Sequence, residues 1–263
     1  MIRVLNLVLT HQEPESVRRV VDWWKHFVPE EDVLVAHGGA PEAFERLDLE
    51  ERVFVADPAL RTRDHPLDRQ SYTAVFQAAA RWMEGRDFTH VYFAEFDHLP
   101  LTGQIHERLL ETSAVEGADV LFHHLQRVDG TNHPHYLYEC SQPEFHSFWE
   151  KVSVRRDPRT VLTMIAPGSF WTRAAFDAVA AREEPFRIYL EIYLPTLAHH
   201  LGFRVRDLTS QNRWIHVHGD RGAEIQTAVA AGAWALHPVK AIEPRFFEWV
   251  SGRERQPTLE GKG

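Results

Sequence analysis

The chain has 263 residues, 38 of them acidic and 29 basic, a formal net charge of -9, and 44% hydrophobic against 25% charged residues. That length and balance suit one large globular domain and exclude disorder as the main state. The acidic excess argues against nonspecific nucleic-acid binding, which needs many Lys and Arg contacts to phosphate, and the single cysteine, Cys140, excludes both an intrachain disulfide scaffold and a Cys-cluster zinc site.

The apolar run inside Met1 to Thr10 is too short for a membrane span, and His11, Gln12 and Glu13 follow it without a signal-peptide layout. A cytoplasmic protein with no integral membrane segment is expected. Val4 to Leu9 (VLNLVL) reads as a buried strand. Glu13 to Phe27 predicts a helix, because Val17, Val20, Val21, Trp24 and Val28 recur at helical spacing. Asp32 to Ala36 and Arg52 to Ala56 read as the next two strands, and Ser71 to Met83 as a helix with an apolar stripe of Tyr72, Val75, Phe76, Ala79 and Trp82. His90 to Ala94 (HVYFA) is a fourth strand running directly into Glu95-Phe96-Asp97.

Alternating strands and helices imply a mostly parallel sheet covered on both faces, and ligands in such sheets bind beyond the carboxyl ends of the strands. Those ends carry Thr10-His11, His37-Gly38-Gly39, Asp57 and Glu95-Asp97. The second half is less regular. Gly117 to His123 reads as a strand, 126–160 as loops and short elements over a cleft, Ala174 to Ala181 and Glu191 to Leu201 as helices, and Phe203 to Leu208 as a strand. One domain over 1–250 is expected, in two halves, 1–100 and 101–250. Residues 251–263 read as a frayed, flexible tail.

In an extended chain, Glu95 and Asp97 fall on one side and Phe96 on the other. Two carboxylates at a strand end are hard oxygen ligands suited to Mg²⁺ or Mn²⁺, and a departing diphosphate needs such an ion to offset its charge. An isolated E-x-D is more often a pair of solvated acids; the strand before it and the strand–helix alternation favour function.

With these residues in place, the chain from roughly Arg3 to Lys240 resembles the GT-A glycosyltransferases, in which a strand of the nucleotide-binding region ends in a D-x-D or variant acidic motif. Glu95 stands here where the commoner motif has its first Asp. The resemblance implies a three-layer α/β/α, Rossmann-like domain with a mixed, mainly parallel sheet, 1–100 being the nucleotide-binding half and 101–250 the acceptor-side half. It also implies transfer of a sugar from a nucleoside-diphosphate sugar donor to an acceptor hydroxyl, assisted by Mn²⁺ or Mg²⁺ on Glu95 and Asp97. Ala166 to Trp171 resembles the glycine loop before the acceptor-side helix, with Gly168 near the ligand. Glu191 resembles the acid that deprotonates the acceptor, although Ile192 stands where a second acid is usual. A late H-x-x-G makes His216 the expected third metal ligand, with His218 and His237 as alternatives and Lys240 or Arg221 as the cation near phosphate. Thr10, His11 and Arg69, the last beside Asp68 and Gln70, are expected at the nucleotide.

Two other readings stand beside this one. His216-Val217-His218-Gly219-Asp220 partly imitates the H-x-H-x-D pattern of metallo-β-lactamase-like hydrolases, and His123, His124, His133, His135, His199 and His200 add imidazoles. The missing acid after Glu191 fits a noncatalytic sugar-nucleotide-binding protein. Trp149, Trp171 and Trp214 could stack on sugar rings, although packing in a core is the commoner use of tryptophan.

Overall fold

The structure is a computed structural model that describes residues 2–57, 60, 72–128, 134–152, 160–182, 187–216 and 218–254. Strand β1 (Val4–Thr10) leads through helix α1 (Pro14–Phe27) to β2 (Asp32–His37), and α2 (Pro41–Glu45) leads to β3 (Arg52–Phe54). Helix α3 (Thr73–Trp82) precedes β4 (His90–Glu95), a two-residue strand β5 (Leu99–Pro100), and α4 (Ile105–Glu116). Then come β6 (Val120–Val128), α5 (Pro134–Glu139), α6 (Pro143–Val152), β7 (Val161–Thr172), α7 (Arg173–Ala180) and α8 (Leu190–His200). The chain closes with β8 (Val205–Asp207), α9 (Ile225–Ala230), β9 (Ala235–Leu236) and α10 (Pro244–Glu254).

Seven strands form one sheet in the order β3-β2-β1-β4-β7-β6-β8. Strands β1 to β4 run parallel, β7 is antiparallel to both β4 and β6, and β8 is parallel to β6. The mixed, mainly parallel sheet is therefore Rossmann-like, and it joins the two halves of the chain through the β4–β7 pair. The alternation along β4 shows how both faces are buried. Val91 and Phe93 join a core with Phe76 of α3, Phe176 of α7 and Tyr193 of α8. Tyr92 and Ala94 join a second core with Trp23 and Trp24 of α1, Leu109 of α4 and Phe246 of α10. Two apolar layers on one sheet make the three-layer α/β/α domain.

Local chemistry explains the clearest helix. Pro14 opens α1 with its ring already at the helical φ, Glu15 sits in the first turn, and Lys25 and His26 sit in the last. Its buried face is Val17, Val20, Trp23, Trp24 and Phe27, and the Trp23 indole N–H donates to the Pro100 carbonyl at 2.8 Å, tying α1 to β5.

Four expectations change. The stretch Ala166 to Trp171 lies inside β7, not in a loop. Gly168 takes φ 81 there, and the β6–β7 register shifts beside it at His123, the signature of a bulge rather than a turn. Residues 126–160 include two helices, α5 and α6, the second burying Phe145, Phe148 and Val152. Helix α4 stands where no element was expected; it buries only Ile105, His106 and Leu109 and stops at Gly117 with φ 57. The polar stretch from 251 begins as the end of α10, which runs to Glu254. No helix among the described residues is long and apolar enough to cross a membrane.

Candidate functional site

Strand β1 has β2 on one side and β4 on the other, so the chain's course from β1 to β2 and from β3 to β4 runs in opposite directions along the sheet. A crevice forms beyond the strand ends at such a reversal. Leu9 of β1 pairs with Glu95 of β4, and Thr10 with His37 of β2, which sets these residues along the rim.

The chain does not stay extended after Glu95. It turns, with the His98 amide donating to the Glu95 carbonyl at 2.9 Å, then enters β5. Strand β5 pairs antiparallel with β9, Leu99 opposite Leu236 and Pro100 opposite Ala235. The pairing continues on both sides, through the Leu101 amide on the Trp234 carbonyl and the Val239 amide on the Asp97 carbonyl, each at 2.8 Å. This small two-stranded sheet lays residues 237–240 beside the acidic turn.

The result is a cluster. One ligand atom each from Glu95, Asp97 and His237 lies within 4.8 Å of the others. His237 Nε2 is 3.3 Å from Asp97 Oδ1, and the Lys240 ammonium hydrogen-bonds Asp97 Oδ2. His237 Nδ1 is 2.6 Å from the His216 carbonyl, where it donates its proton. That leaves Nε2 facing Asp97. Asp97 is 2% exposed. Burial works against its charge, but the His237 contact and Lys240 outweigh that and hold its carboxyl at about 2. Glu95 is shifted the other way, raised by burial and by Asp97's charge, with its Oε1 accepting from the Tyr72 hydroxyl at 2.9 Å. Glu191, in the first turn of α8, is 9% exposed. Burial first, and the charge of Glu95 second, push its carboxyl up to about 8.

Among the described residues, buried Asp97 Oδ1 has no hydrogen-bond partner and only His237 Nε2 as its ion-pair neighbour. Two carboxylates and an imidazole whose Nε2 faces them form a donor set that divalent cations accept. The residues present therefore fit Mn²⁺ or Mg²⁺.

Behind the acids, His98 is fully buried, with Nε2 2.7 Å from the Tyr92 hydroxyl and its protonated form disfavoured first by burial and then by His237 and His123. Gly168 leaves room for this ring: a Cβ there would fall 2.3 Å from His98 Cε1. The glycine thus serves a close side-chain approach within the protein, rather than the open ligand loop expected for it.

The other expected residues divide. Lys240 is at the cluster and half-exposed, 5.9 Å from the Phe96 ring centre. His11 is exposed at the rim, edge-on to Phe96 with ring centres 5.1 Å apart. Thr10 is buried, and its hydroxyl accepts from the Gln12 amide at 3.1 Å, closing the turn after β1. His216 is turned away from the acids: it is exposed, and its Nε2 lies 3.0 Å from the Arg213 carbonyl. The histidine brought to the acids is His237. Arg69, with Asp68, Gln70 and His133, lies outside the described residues. The H-x-H-x-D stretch does not gather as a ligand set, since Asp220 Oδ1 accepts the Gly222 amide at 3.0 Å, and the 95/97/237 group is the one potential metal cluster among the described residues. Trp171 and Trp214 are buried in the two cores, while Trp149 is half-buried and stacked on Phe145. Tyr72 was noticed in the sequence only as part of an apolar stripe; nothing in its spacing signalled a bond to Glu95.

No protein-family model matches the chain, and no curated protein matches it. Solved structures resemble it loosely. A197 from STIV is 11% identical over 79% of this chain and 82% of its own, with a TM-score of 0.37. The bifunctional IspDF from Campylobacter jejuni is 10% identical over 78% of this chain and 49% of its own, with a TM-score of 0.38, so this chain spans about half its length. A CMP:2-keto-3-deoxy-manno-octonic acid synthetase, solved with CTP, is 8% identical over 78% and 89%, with a TM-score of 0.39. Scores of this size leave the function to the chemistry of the cluster itself.

Proposed function

We propose that the protein is a metal-assisted glycosyltransferase that moves a sugar from a nucleoside-diphosphate donor to an acceptor hydroxyl. One observation carries the reading: Glu95 and Asp97, at the sheet's reversal point, meet His237 and Lys240 from the far end of the chain. Glu95, Asp97 and His237 would hold Mn²⁺ or Mg²⁺. When bound, the cation supplies charge neutralisation for the diphosphate that leaves. Lys240 adds a positive charge on a side chain long enough to move from Asp97 to a phosphate oxygen. Phe96 and His11, edge-on to each other at the rim, put aromatic surface beside the cluster, suited to a nucleobase.

Glu191 is the proposed base. The acceptor oxygen bonds to the anomeric carbon, the bond from that carbon to the diphosphate breaks, its electron pair leaves with the diphosphate, and the acceptor's proton passes to Glu191. A carboxyl held at about 8 is mostly protonated at neutral pH and takes the acceptor's proton only once ionised, so turnover should rise as pH climbs towards 8.

A thermal-shift screen of nucleoside diphosphates with and without Mn²⁺ tests this, because a ligand that binds only the folded state raises apparent stability by about 2.7 kcal/mol at a hundred times its Kd. A shift that requires Mn²⁺ and disappears in Asp97→Asn is expected. Equal shifts in the wild type and Asp97→Asn, or none with any nucleotide, would sink the proposal.

A further inference from the structure

Tyr72 immediately precedes α3 with φ 55, in the left-handed region. A bulky residue adopts that conformation only where its surroundings hold it there, and such residues gather at functional sites. Here the surroundings are specific. The ring packs edge-on against Phe93, with centres 5.9 Å apart, and the hydroxyl donates to Glu95 Oε1 at 2.9 Å. Phe93 and Glu95 are two apart on β4 and so lie on the same face of the sheet. The tyrosine therefore follows one strand face from the core to the acidic end.

Packing alone does not call for this residue. Phenylalanine would fill the same space against Phe93, and among the described residues the hydroxyl adds only the bond to Glu95. A glutamate at a strand end has several staggered rotamers open to it. Tying Oε1 to Tyr72 selects among them and leaves the carboxylate within 4.8 Å of the ligand atoms of Asp97 and His237. His237 is fixed in the same manner, through Nδ1 on the His216 carbonyl, and Asp97 by Lys240. Each member of the cluster thus has one outer partner that sets its direction, as ligands of metal sites commonly do.

We infer that Tyr72 is a positioning residue of the cation site, holding Glu95 in the orientation that binds the metal. The inference rests on the proposed cation site, so its test separates the two. Mn²⁺ affinity is measured by calorimetry without nucleotide or acceptor, on the wild type, Asp97→Asn, Tyr72→Phe, Glu95→Gln and the Tyr72→Phe/Glu95→Gln double variant. Loss of an outer partner typically weakens metal binding about 10- to 100-fold, and that is the drop expected in Tyr72→Phe, with the thermal midpoint of a folded protein. In the Glu95→Gln background the same change should alter affinity by less than about threefold, because the two act on one interaction. A wild type that does not bind Mn²⁺, or an Asp97→Asn variant that binds it equally well, overturns the cation site and Tyr72's role with it. If both of those behave as expected, Tyr72's role alone is overturned by any of three results. These are unchanged affinity in Tyr72→Phe, an undiminished loss in the Glu95→Gln background, or a Tyr72→Phe chain that no longer folds.

Discussion

Replacing Gly168 by alanine tests how tightly the floor of the site is built. The added Cβ would sit 2.3 Å from Cε1, 2.6 Å from Nε2 and 3.1 Å from Nδ1 of His98. The ring has little freedom to retreat, since it is fully buried and hydrogen-bonded to Tyr92. Three penalties combine. An L-residue in the left-handed region costs about 1–2 kcal/mol, overpacking about 1–3 kcal/mol, and loss of the buried Tyr92–His98 bond about 1–3 kcal/mol. Partial relaxation lowers the sum, so about 3–6 kcal/mol is expected, a large share of a typical stability of about 5–15 kcal/mol. Urea unfolding followed by circular dichroism measures it as a lower midpoint at unchanged slope. The backbone share and the steric share separate in a Gly168→Ala/His98→Ala double variant, which should be less destabilised than the sum of its parts because the missing ring makes room for the methyl group. A Gly168→Ala penalty below about 1 kcal/mol, or simple additivity in the double variant, would refute the reasoning.

Two further predictions concern the cluster. Glu191 is held at about 8 against an ordinary value of 4.5. Its contribution to stability is complete below the unfolded-state value and is lost as pH climbs through the folded one. In chelator, the stability that Glu191 contributes to the wild type should therefore be lost between about pH 4.5 and 8, at up to roughly 1.4 kcal/mol per unit, and it is read as the difference from Glu191→Gln because buried His98 contributes with the opposite sign. Urea midpoints of the two proteins that stay parallel across that range would remove the basis for a buried, proton-holding Glu191. The second prediction separates the histidines: His237→Ala should weaken Mn²⁺ binding at least about tenfold, whereas His216→Ala keeps the backbone carbonyl that orients His237 and should stay near wild type in calorimetry. The opposite order would return His216 to the site.

The alternation of apolar strands with helices was legible in the first hundred residues because β1, α1, β2 and β4 each bury a run or stripe long enough to show its period. Glu95 and Asp97 were legible for a related reason, since acids directly after HVYFA interrupt a buried strand. What fixes their geometry was not. Their closeness comes from a turn and from β5 pairing with β9, and two-residue strands carry no periodicity to read. His216 looked the better candidate from its H-x-x-G spacing, while His237 reaches the acids through that pairing. Helix α4 was missed because it buries three residues of twelve. Strand β7 was missed because Pro167 and Gly168 carry the marks of a turn, and only the neighbouring strands and the His98 ring explain them as a bulge. Tyr72 shows the same limit at one residue: its ring belongs to the helix stripe, and its hydroxyl to a strand 23 positions away.

The β5–β9 pairing also bears on how the protein comes into being. Asp97 and Lys240 are 143 residues apart in the chain. At translation rates of about 5–20 residues per second, the acids leave the ribosome roughly 7–29 s before their basic partners. Throughout that interval β1 to β4 can assemble, yet Asp97 has neither His237 nor Lys240 to offset its burial, so the rim at β4 has reason to stay hydrated and open. A nascent chain halted before Ala235 would carry the acids without the residues that complete their cluster. Newly made protein would thus acquire the proposed cation site in one late step, when the last short strand docks, and the growing polypeptide would hold no half-built copy of it beforehand.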